Sequence, residues 1–387
     1  MINYFTTHKF MKSKIRVGII MGGMSGEHEV SVVSASSVIN ALNKDKYEVI
    51  PIGITKNGQW ISGPDTVTML KNGMTDHILS QKILLPDPNQ KSLLSITDDG
   101  LAKNEPLDVV IPLIHGTYGE DGKLQGLLEM ANIPYVGCGV LGSAVGMDKI
   151  IMKNLFKQAG LLTPNFTHFT KNEWLADQKK IIGFVESALK YPIFIKPANL
   201  GSSVGISKVK SRSRFFDAVN EAAKYDRRII VEQSIENCRE IECAVLGNNE
   251  PKASIAGEIL PHHEFYSYKA KYVDANGAGL EIPAKLSEEQ LKEIQQQAII
   301  AFKALDLSGM SRVDFFIDGG NKILISEVNT VPGFTKISMY PKLWAASGLP
   351  YDKLIDKLID LALEKHCEKN SLKTSFDDID SSWQNNY

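Results

Sequence analysis

From Lys14 onward, short apolar runs alternate with glycine-bearing turns and with stretches of helical spacing, and this alternation limits the fold more than any other feature. Residues 17–21 read as a buried strand, and Gly22-Gly23-Met24-Ser25-Gly26 turns the chain into a helix carrying Val30, Val33 and Val38. Strands over 47–54 and 109–114 and a helix over 121–131 continue the pattern. Strands alternating with helices predict an α/β chain whose first unit, residues 12–137, is built on a mostly parallel sheet. Residues 62–106 are polar and weakly periodic, and read as loops and a hairpin. Residues 1–13 show no periodicity, so Met11 serves as a start as well as Met1.

At about 150 residues per domain, 387 residues make two or three domains. The second spans 138–233: a helix over 148–159 stopped by Gly160, a helix over 174–189, a strand over 193–196, a small-residue loop over 198–205, a helix over 215–223 and a strand over 228–233. The third spans 234–366. It opens with strands over 241–246 and 253–260, followed by the polar, aromatic-rich segment 261–283, whose length suits a lid. The helix after it has the plainest signature in the chain. Ser287 caps it, Gln290 closes a capping box, Leu286 staples onto Leu291, and Ile294, Ala298, Phe302 and Leu305 keep helical spacing. A hairpin joins 312–317 to 322–327 around Asp318-Gly319-Gly320-Asn321, a last helix covers 351–366, and 367–387 read as an acidic tail.

Charge narrows the function. Lys and Arg number 43 against 45 Asp and Glu, a net charge of −2, which supplies no footprint for a nucleic-acid backbone. No run approaches the ~20 apolar residues of a membrane span, and the N-terminal apolar run is too short for a signal core. Four cysteines without Cys-x-x-Cys spacing argue against a disulfide framework and a zinc ribbon. A cytoplasmic, globular, multidomain protein is expected.

The hairpin concentrates chemistry. With period two, Arg312 and Asp314 share a face about 7 Å apart, as do Glu327 and Asn329 on the partner strand. A turn through 318–321 pairs Ile317 with Lys322 and sets Arg312 opposite Glu327. Two carboxylates and an amide oxygen are hard ligands suited to Mg²⁺; an Arg–Glu cross-strand pair beside a solvated Asp fits the same spacing. Gly201-Ser202-Ser203-Val204-Gly205, downstream of Lys196, can wrap a phosphate in N–H donors or serve as a plain turn. There is neither a Walker A motif nor a Gly-x-Gly-x-x-Gly after the first strand, so any nucleotide needs another architecture, and a nicotinamide oxidoreductase is disfavoured. Residues 22–26 suit either an anion or a tight turn, and His115 sits where an open parallel sheet binds ligands. His262-His263 has no third ligand at metal spacing and reads as loop surface.

In order along residues 14–366, the chain carries Gly22-Gly23-Met24-Ser25-Gly26-Glu27-His28-Glu29-Val30-Ser31, His115-Gly116 with Gly119-Glu120-Asp121-Gly122, Met147-Asp148-Lys149 and Lys196-Pro197 with the loop 201–205. Tyr266-Ser267-Tyr268-Lys269-Ala270-Lys271-Tyr272, Arg312-Val313-Asp314 and Glu327-Val328-Asn329-Thr330-Val331-Pro332-Gly333 follow. Together these resemble the D-alanine–D-alanine ligases of the ATP-grasp superfamily.

The resemblance implies a three-domain ATP-grasp architecture, with an N-terminal parallel-sheet domain and two α+β domains clamping ATP. It places Lys149 and Lys196 on the phosphates under the loop of Ser202 and Ser203, with Lys271 also on ATP. Adenine would lie along Glu232, Gln233 and Ile235, with Glu240 on the ribose. Asp314, Glu327 and Asn329 would hold two Mg²⁺ ions, with Mn²⁺ as an alternative. Glu27, with His115 nearby, would fix the first D-alanine, and Ser338 and Met339 the carboxylate of the second. Met339 departs from the usual Leu. Arg312 and the Gly333 N–H would stabilise the oxyanion, and the lid residue Tyr272 would reach Ser202 and Glu27. The implied reaction is ATP-dependent formation of D-alanyl-D-alanine through an acyl phosphate for peptidoglycan precursors, by a cytoplasmic homodimer. D-lactate or D-serine as second substrate, and a nucleotide-binding protein without turnover, are the competing expectations. Tyr272 favours D-alanine, and intact Glu27, Arg312 and Glu327 favour an enzyme.

Overall fold

The computed structural model describes residues 13–73, 81–97, 100–201, 204–261 and 278–374. Three sheets organise it. The first has seven strands: β1 (Ile15–Gly22), β2 (Tyr47–Ile54), β3 (Trp60–Ser62), β4 (Gln81–Leu84), β5 (Ser92–Thr97), β6 (Gly100–Pro106) and β7 (Val109–Pro112), in the order β6-β5-β4-β3-β2-β1-β7. Its parallel part is β2-β1-β7, joined through the helix His28–Ala41. The segment 62–106, expected as loops and a hairpin, instead contributes the antiparallel extension β3–β6 and a short helix, Thr66–Asn72. These strands have three to seven residues, too few for alternation to stand out of a polar sequence.

The second sheet, ordered β10-β9-β11-β8, uses β8 (Phe166–Thr170), β9 (Ile193–Pro197), β10 (Ser207–Val209) and β11 (Arg228–Gln233). It packs on the helices Lys171–Ala176, Gln178–Ala188 and Phe215–Ala222 around Trp174, Val185 and Phe215. The single helix expected over 174–189 is two. Asp177 breaks it, with extended φ −156° and ψ 90°, and its side chain caps the second helix at Lys180 N. The first helix has its own capping box, Thr170 with Glu173.

The third sheet is β14-β13-β12-β15-β16, antiparallel throughout, from β12 (Arg239–Gly247), β13 (Lys252–Pro261), β14 (Ala278–Glu281), β15 (Gly309–Ile317) and β16 (Ile323–Asn329). The Ser287–Gln290 capping box opens the helix Glu288–Ala304, whose Ile294, Ala298 and Phe302 bury Val313, Phe315, Ile317 and Ile325. The segment expected as an open lid ends in β14, which pairs with β13 from Pro261↔Ala278 to Glu258↔Glu281; residues 262–277 lie outside the described residues, as do His262 and His263. The last helix, Tyr351–Asn370, runs four residues past its expected end at 366, into the supposed tail; residues 375–387 are outside the described residues, as are Met1 and Met11. Its Leu354, Leu358 and Ile359 share one core with Val17 and Val109 of the first sheet and Ala244 and Met310 of the third. The outer sheets are thereby fixed to each other. Among the described residues no helix is long and apolar enough to cross a membrane.

Candidate active site

The carboxyl ends of β1 and β7 open one wall of a polar centre. Gly22 has φ +88°, and a Cβ there would stand 2.3 Å from Ile54 O, so the turn after β1 requires glycine. The Gly22 N–H donates to Ser31 Oγ at 2.7 Å, and that hydroxyl donates to Leu113 O at 2.6 Å, which ties the first helix to the end of β7. Ser25 Oγ donates to His115 O and accepts from Glu27 N–H. The Glu27 carboxylate then lies against two glycines. A Cβ on Gly116 would meet its Oε2 at 2.7 Å, and one on Gly201 at 3.4 Å.

His115 is buried between Ser34 Oγ, 3.1 Å from Nε2, and Val331 O, 3.0 Å from Nδ1. Burial holds its pKa below the ordinary value, against the pull of Glu27. A neutral ring satisfies both contacts when Nδ1–H donates to Val331 O and Nε2 accepts from Ser34. Glu120, quoted within its motif but given no role from sequence, accepts from Gly116 N–H at 2.8 Å and lies 3.8 Å from His115 Nδ1. Burial, with Glu27 adding to it, pushes the Glu120 carboxyl up to about 8.

The second wall is the β15–β16 hairpin. Val313, Phe315, Ile317 and Val328 face the helix, while Arg312, Asp314, Glu327 and Asn329 share the other face. The register differs from expectation. Arg312 stands opposite Asn329, and Asp314 opposite Glu327, rather than Arg312 opposite Glu327. The turn holds five residues, closed by Asp318 N–H to Lys322 O, so Ile317 pairs with Ile323 instead of Lys322. The register shifts once more between Asp314 and Phe315, where Ser326 is the extra residue. Two shifts of one residue restore parity, and the polar side chains keep their common face.

Arg312 grips Asp314 with two bonds of 2.7 Å, and its Nε is also 3.0 Å from Glu242 Oε2 on β12. Glu242 pairs with Asp314 in register, so Glu242, Asp314 and Glu327 form a row across three strands. Burial would lower the Arg312 pKa, but Asp314 and Glu242 outweigh it and hold it well above its ordinary value. Sequence reasoning missed Glu242; its signal was the two-residue spacing from Glu240.

The third wall comes from the second sheet and the helix Lys149–Gln158. Asp148 caps that helix through Ile150 N–H and Ile151 N–H and is held by Arg228 and Asn199. Lys149 Nζ donates to Leu200 O at 2.9 Å and reaches Glu327 Oε2 at 3.5 Å. Lys196 Nζ lies 2.7 Å from Glu232 Oε2. Burial would raise the Glu232 pKa, yet Lys153 and Lys196 overcome it and keep the carboxyl low. Lys153 was also missed, although it is one turn beyond Lys149 on the same helix face.

After β16 the chain turns back over the centre. Asn329 Oδ1 accepts from Val331 N–H, Val331 O meets His115, and Gly333 lies beside Ser338, where a Cβ would be 3.1 Å from Ser338 Oγ. Ser338 Oγ also bonds Thr335. Glu27, His115, Lys149, Arg312, Asp314, Glu327, Asn329, Gly333 and Ser338 therefore come from distant stretches of sequence to one centre. Glu240 shares the face of β12 that carries Glu242, and others are held differently. The Gln233 amide is bonded to Lys190 and Pro192, so that residue has only its backbone to offer a ligand. Met339 is buried with its sulfur against Gly257, which explains why Met can replace Leu. Ile235 is half-buried, and Glu240 sits on β12 opposite Phe316. Ser202, Ser203, Lys271 and Tyr272 lie outside the described residues.

Asp314, Glu327 and Asn329 offer three hard oxygen donors. Among the described residues no group of three or more His, Cys, Asp and Glu is set to hold a metal ion alone. Two carboxylates and an amide oxygen are a donor set that suits Mg²⁺, which is usually held by one or two carboxylates together with substrate phosphates and water.

Comparisons with known proteins concern the chain as a whole. Residues 16–138 match the family model "D-ala D-ala ligase N-terminus", and residues 155–360 match "D-ala D-ala ligase C-terminus". The chain is 48% identical to the D-alanine–D-alanine ligase of Natranaerobius thermophilus, over 94% of this chain and 99% of that one. It is 51% identical to the Geobacillus thermodenitrificans enzyme of the same name, over 89% and 94%. The solved D-alanine-D-alanine ligase from Coxiella burnetii superposes with a TM-score of 0.80 at 38% identity, covering 92% of this chain and 96% of that one. The VanG D-Ala:D-Ser ligase from Enterococcus faecalis also reaches 0.80, at 37% identity, covering 90% and 100%. On the family models and these identities, the chain belongs to the D-alanine–D-alanine ligase family.

Proposed function

We propose that the protein joins two D-alanine molecules into D-alanyl-D-alanine, spending ATP to ADP and phosphate, as a step in making peptidoglycan precursors. The observation that carries this reading is the meeting of Lys149, Glu327, Asp314 and Arg312 beside Glu27: cations and metal-ligand oxygens for a phosphate stand next to a carboxylate for an amino group. Residues 12–137, 138–233 and 234–366 act as the three domains, with ATP between the second and third.

Lys149 and Lys196 neutralise the phosphates under Ser202 and Ser203, with Lys271 approaching from the lid. Glu232, the backbone at Gln233, and Ile235 receive adenine, and Glu240 the ribose. Asp314, Glu327 and Asn329 hold Mg²⁺, two ions by family pattern, with Mn²⁺ able to substitute; bound there, the metal spreads the charge of phosphoryl transfer. Glu27 holds the ammonium of the first D-alanine, whose carboxylate attacks the γ-phosphate. The amine of the second, oriented by Ser338 and the backbone at Met339, then attacks the acyl phosphate. Arg312 and the Gly333 N–H receive the oxyanion charge. Tyr272 closes the lid against water, which would hydrolyse the acyl phosphate. A cytoplasmic homodimer completes the proposal.

Identities of 48% and 51% to two D-alanine–D-alanine ligases, against 37% to the D-Ser enzyme, support D-alanine over D-serine as second substrate. The deciding experiment is ADP release with product analysis, offering D-alanine, L-alanine, D-serine and D-lactate. ADP release that depends on D-alanine and yields the dipeptide is expected. ADP release indifferent to D-alanine, or a preferred mixed product, would overturn it.

A further inference from the structure

Among the described residues, Lys153 is the one buried cation of this region that the proposed chemistry leaves without a task. Its side chain is 1% exposed. Its Nζ donates to Ser326 O at 2.7 Å and lies 3.3 Å from Glu232 Oε1, while Lys196 takes the other oxygen of the same carboxylate. Ser326 is the bulge residue that sets Glu327 opposite Asp314.

A lysine this deep is costly, and an apolar side chain such as that of the neighbouring Met152 would pack in the same core more cheaply. Its retention calls for polar work. A bulge leaves its extra residue outside the ladder, so the Ser326 carbonyl needs a donor from elsewhere, and Lys153 supplies one. Met152 points at the same place, with its sulfur accepting from Val328 N–H at 3.3 Å. The helix Lys149–Gln158 therefore grips β16 on both sides of Glu327. Through Glu232, the same ammonium touches the strand proposed to receive adenine.

We infer that Lys153 is a positioning residue: by holding the Ser326 bulge against Glu232, it fixes the aim of Glu327 and ties the metal end of the nucleotide site to its base end. This rests on the assignment of metal to Asp314, Glu327 and Asn329.

The test is a Mn²⁺ titration followed by the magnetic-resonance signal of the free ion, with ADP saturating, on the full-length parent and Lys153→Met. Calorimetry with D-alanine and a thermal midpoint accompany it. The variant should need at least about tenfold more Mn²⁺ for half-saturation, while D-alanine affinity stays within about twofold, because Glu27 belongs to another wall. A folded variant with the parent's Mn²⁺ midpoint overturns the inference. So does an equal loss of Mn²⁺ and D-alanine affinity, which would mean general loosening. If Lys153→Met does not fold, Lys153→Gln, uncharged and one atom shorter, is judged by the same two results. A parent that binds no Mn²⁺ condemns the metal assignment instead of Lys153.

Discussion

Asp314 and Glu327 face each other across β15 and β16 because Ser326 is an extra residue in β16. On the turn-side register, which pairs Phe315 with Ile325, Asp314 would meet Ser326, and Glu327 would point toward the buried face with Val313 and Phe315. The bulge is thus the local device that brings the second carboxylate to the first.

Deletion of Ser326 and Glu327→Gln should therefore fail differently. Glu327→Gln conserves shape and removes charge, so folding should persist while turnover falls by about 10²–10³ or more. Deleting Ser326 removes the bulge and the carbonyl that Lys153 holds but leaves Glu327 next to Ile325 and opposite Asp314, so the polar face should persist and turnover should fall less than in Glu327→Gln. Thermal midpoints and ADP-release rates separate the two. A folded Ser326 deletion as inactive as Glu327→Gln would sink the register argument.

The same hairpin shows how far the sequence could be read. Period two placed Arg312, Asp314, Glu327 and Asn329 on one face correctly, because parity survives an even total shift, but the opposing pairs were off by two residues. The bulge is held from outside the hairpin, by Lys153 and Met152, and leaves no local signal; the five-residue turn is closed locally, by Asp318 and by Asn321 at φ +64°. The Ser287–Gln290 box was legible because capping is local. The antiparallel strands over 81–106 were not, as their hydrophobic content is slight and Lys82 stands buried among them, paired with Glu105. Lys153 and Glu242 were within reach: each repeats a singled-out residue at the period of its element, Lys149 at four and Glu240 at two.

Lys149→Met and Lys196→Met should both weaken nucleotide binding far more than D-alanine binding. Their structural costs should differ. Lys149 contacts Glu327 at the site's edge, whereas Lys196 shares a buried carboxylate. Breaking a buried pair commonly costs about 3–5 kcal/mol, but Glu232 retains Lys153, so Lys196→Met should lose less than that range. Calorimetry with ADP and D-alanine, with denaturant titration beside it, checks both statements. Equal losses for both ligands would point to misfolding.

Glu120 should make stability depend on pH. Its folded pKa, raised by burial and by Glu27, stands at about 8 against an ordinary 4.5. Between those values the folded chain holds a proton that the unfolded chain has released. Stability contributed by this group is present below the lower value and is lost as pH rises toward the upper, with a slope of at most about 1.4 kcal/mol per unit. Glu120→Gln keeps an oxygen for the Gly116 N–H and carries no titrating proton. Denaturant midpoints between about pH 5 and about pH 8 should fall for the parent and flatten for the variant. Parallel curves would show that Glu120 is already ionised when folded.

Glu242 should matter to the oxyanion through Arg312. In the structure Arg312 is shared between Asp314 and Glu242. If Asp314 is engaged by a metal, as proposed, Glu242 is the carboxylate left to hold the guanidinium in place. Glu242→Gln conserves volume and weakens a charge-assisted contact worth about 1.5–3 kcal/mol, which corresponds to roughly 10–100-fold in rate if the loss falls on the transition state. The variant should lose kcat by that factor while the KM for ATP moves little, if the phosphates rest on Lys149 and Lys196 as proposed. Arg312→Lys in the same background should add little further loss, since the group that Glu242 positions is already misplaced. Steady-state kinetics on the two single variants and the double variant decide this. Fully additive losses would mean that Glu242 acts on the centre independently of Arg312.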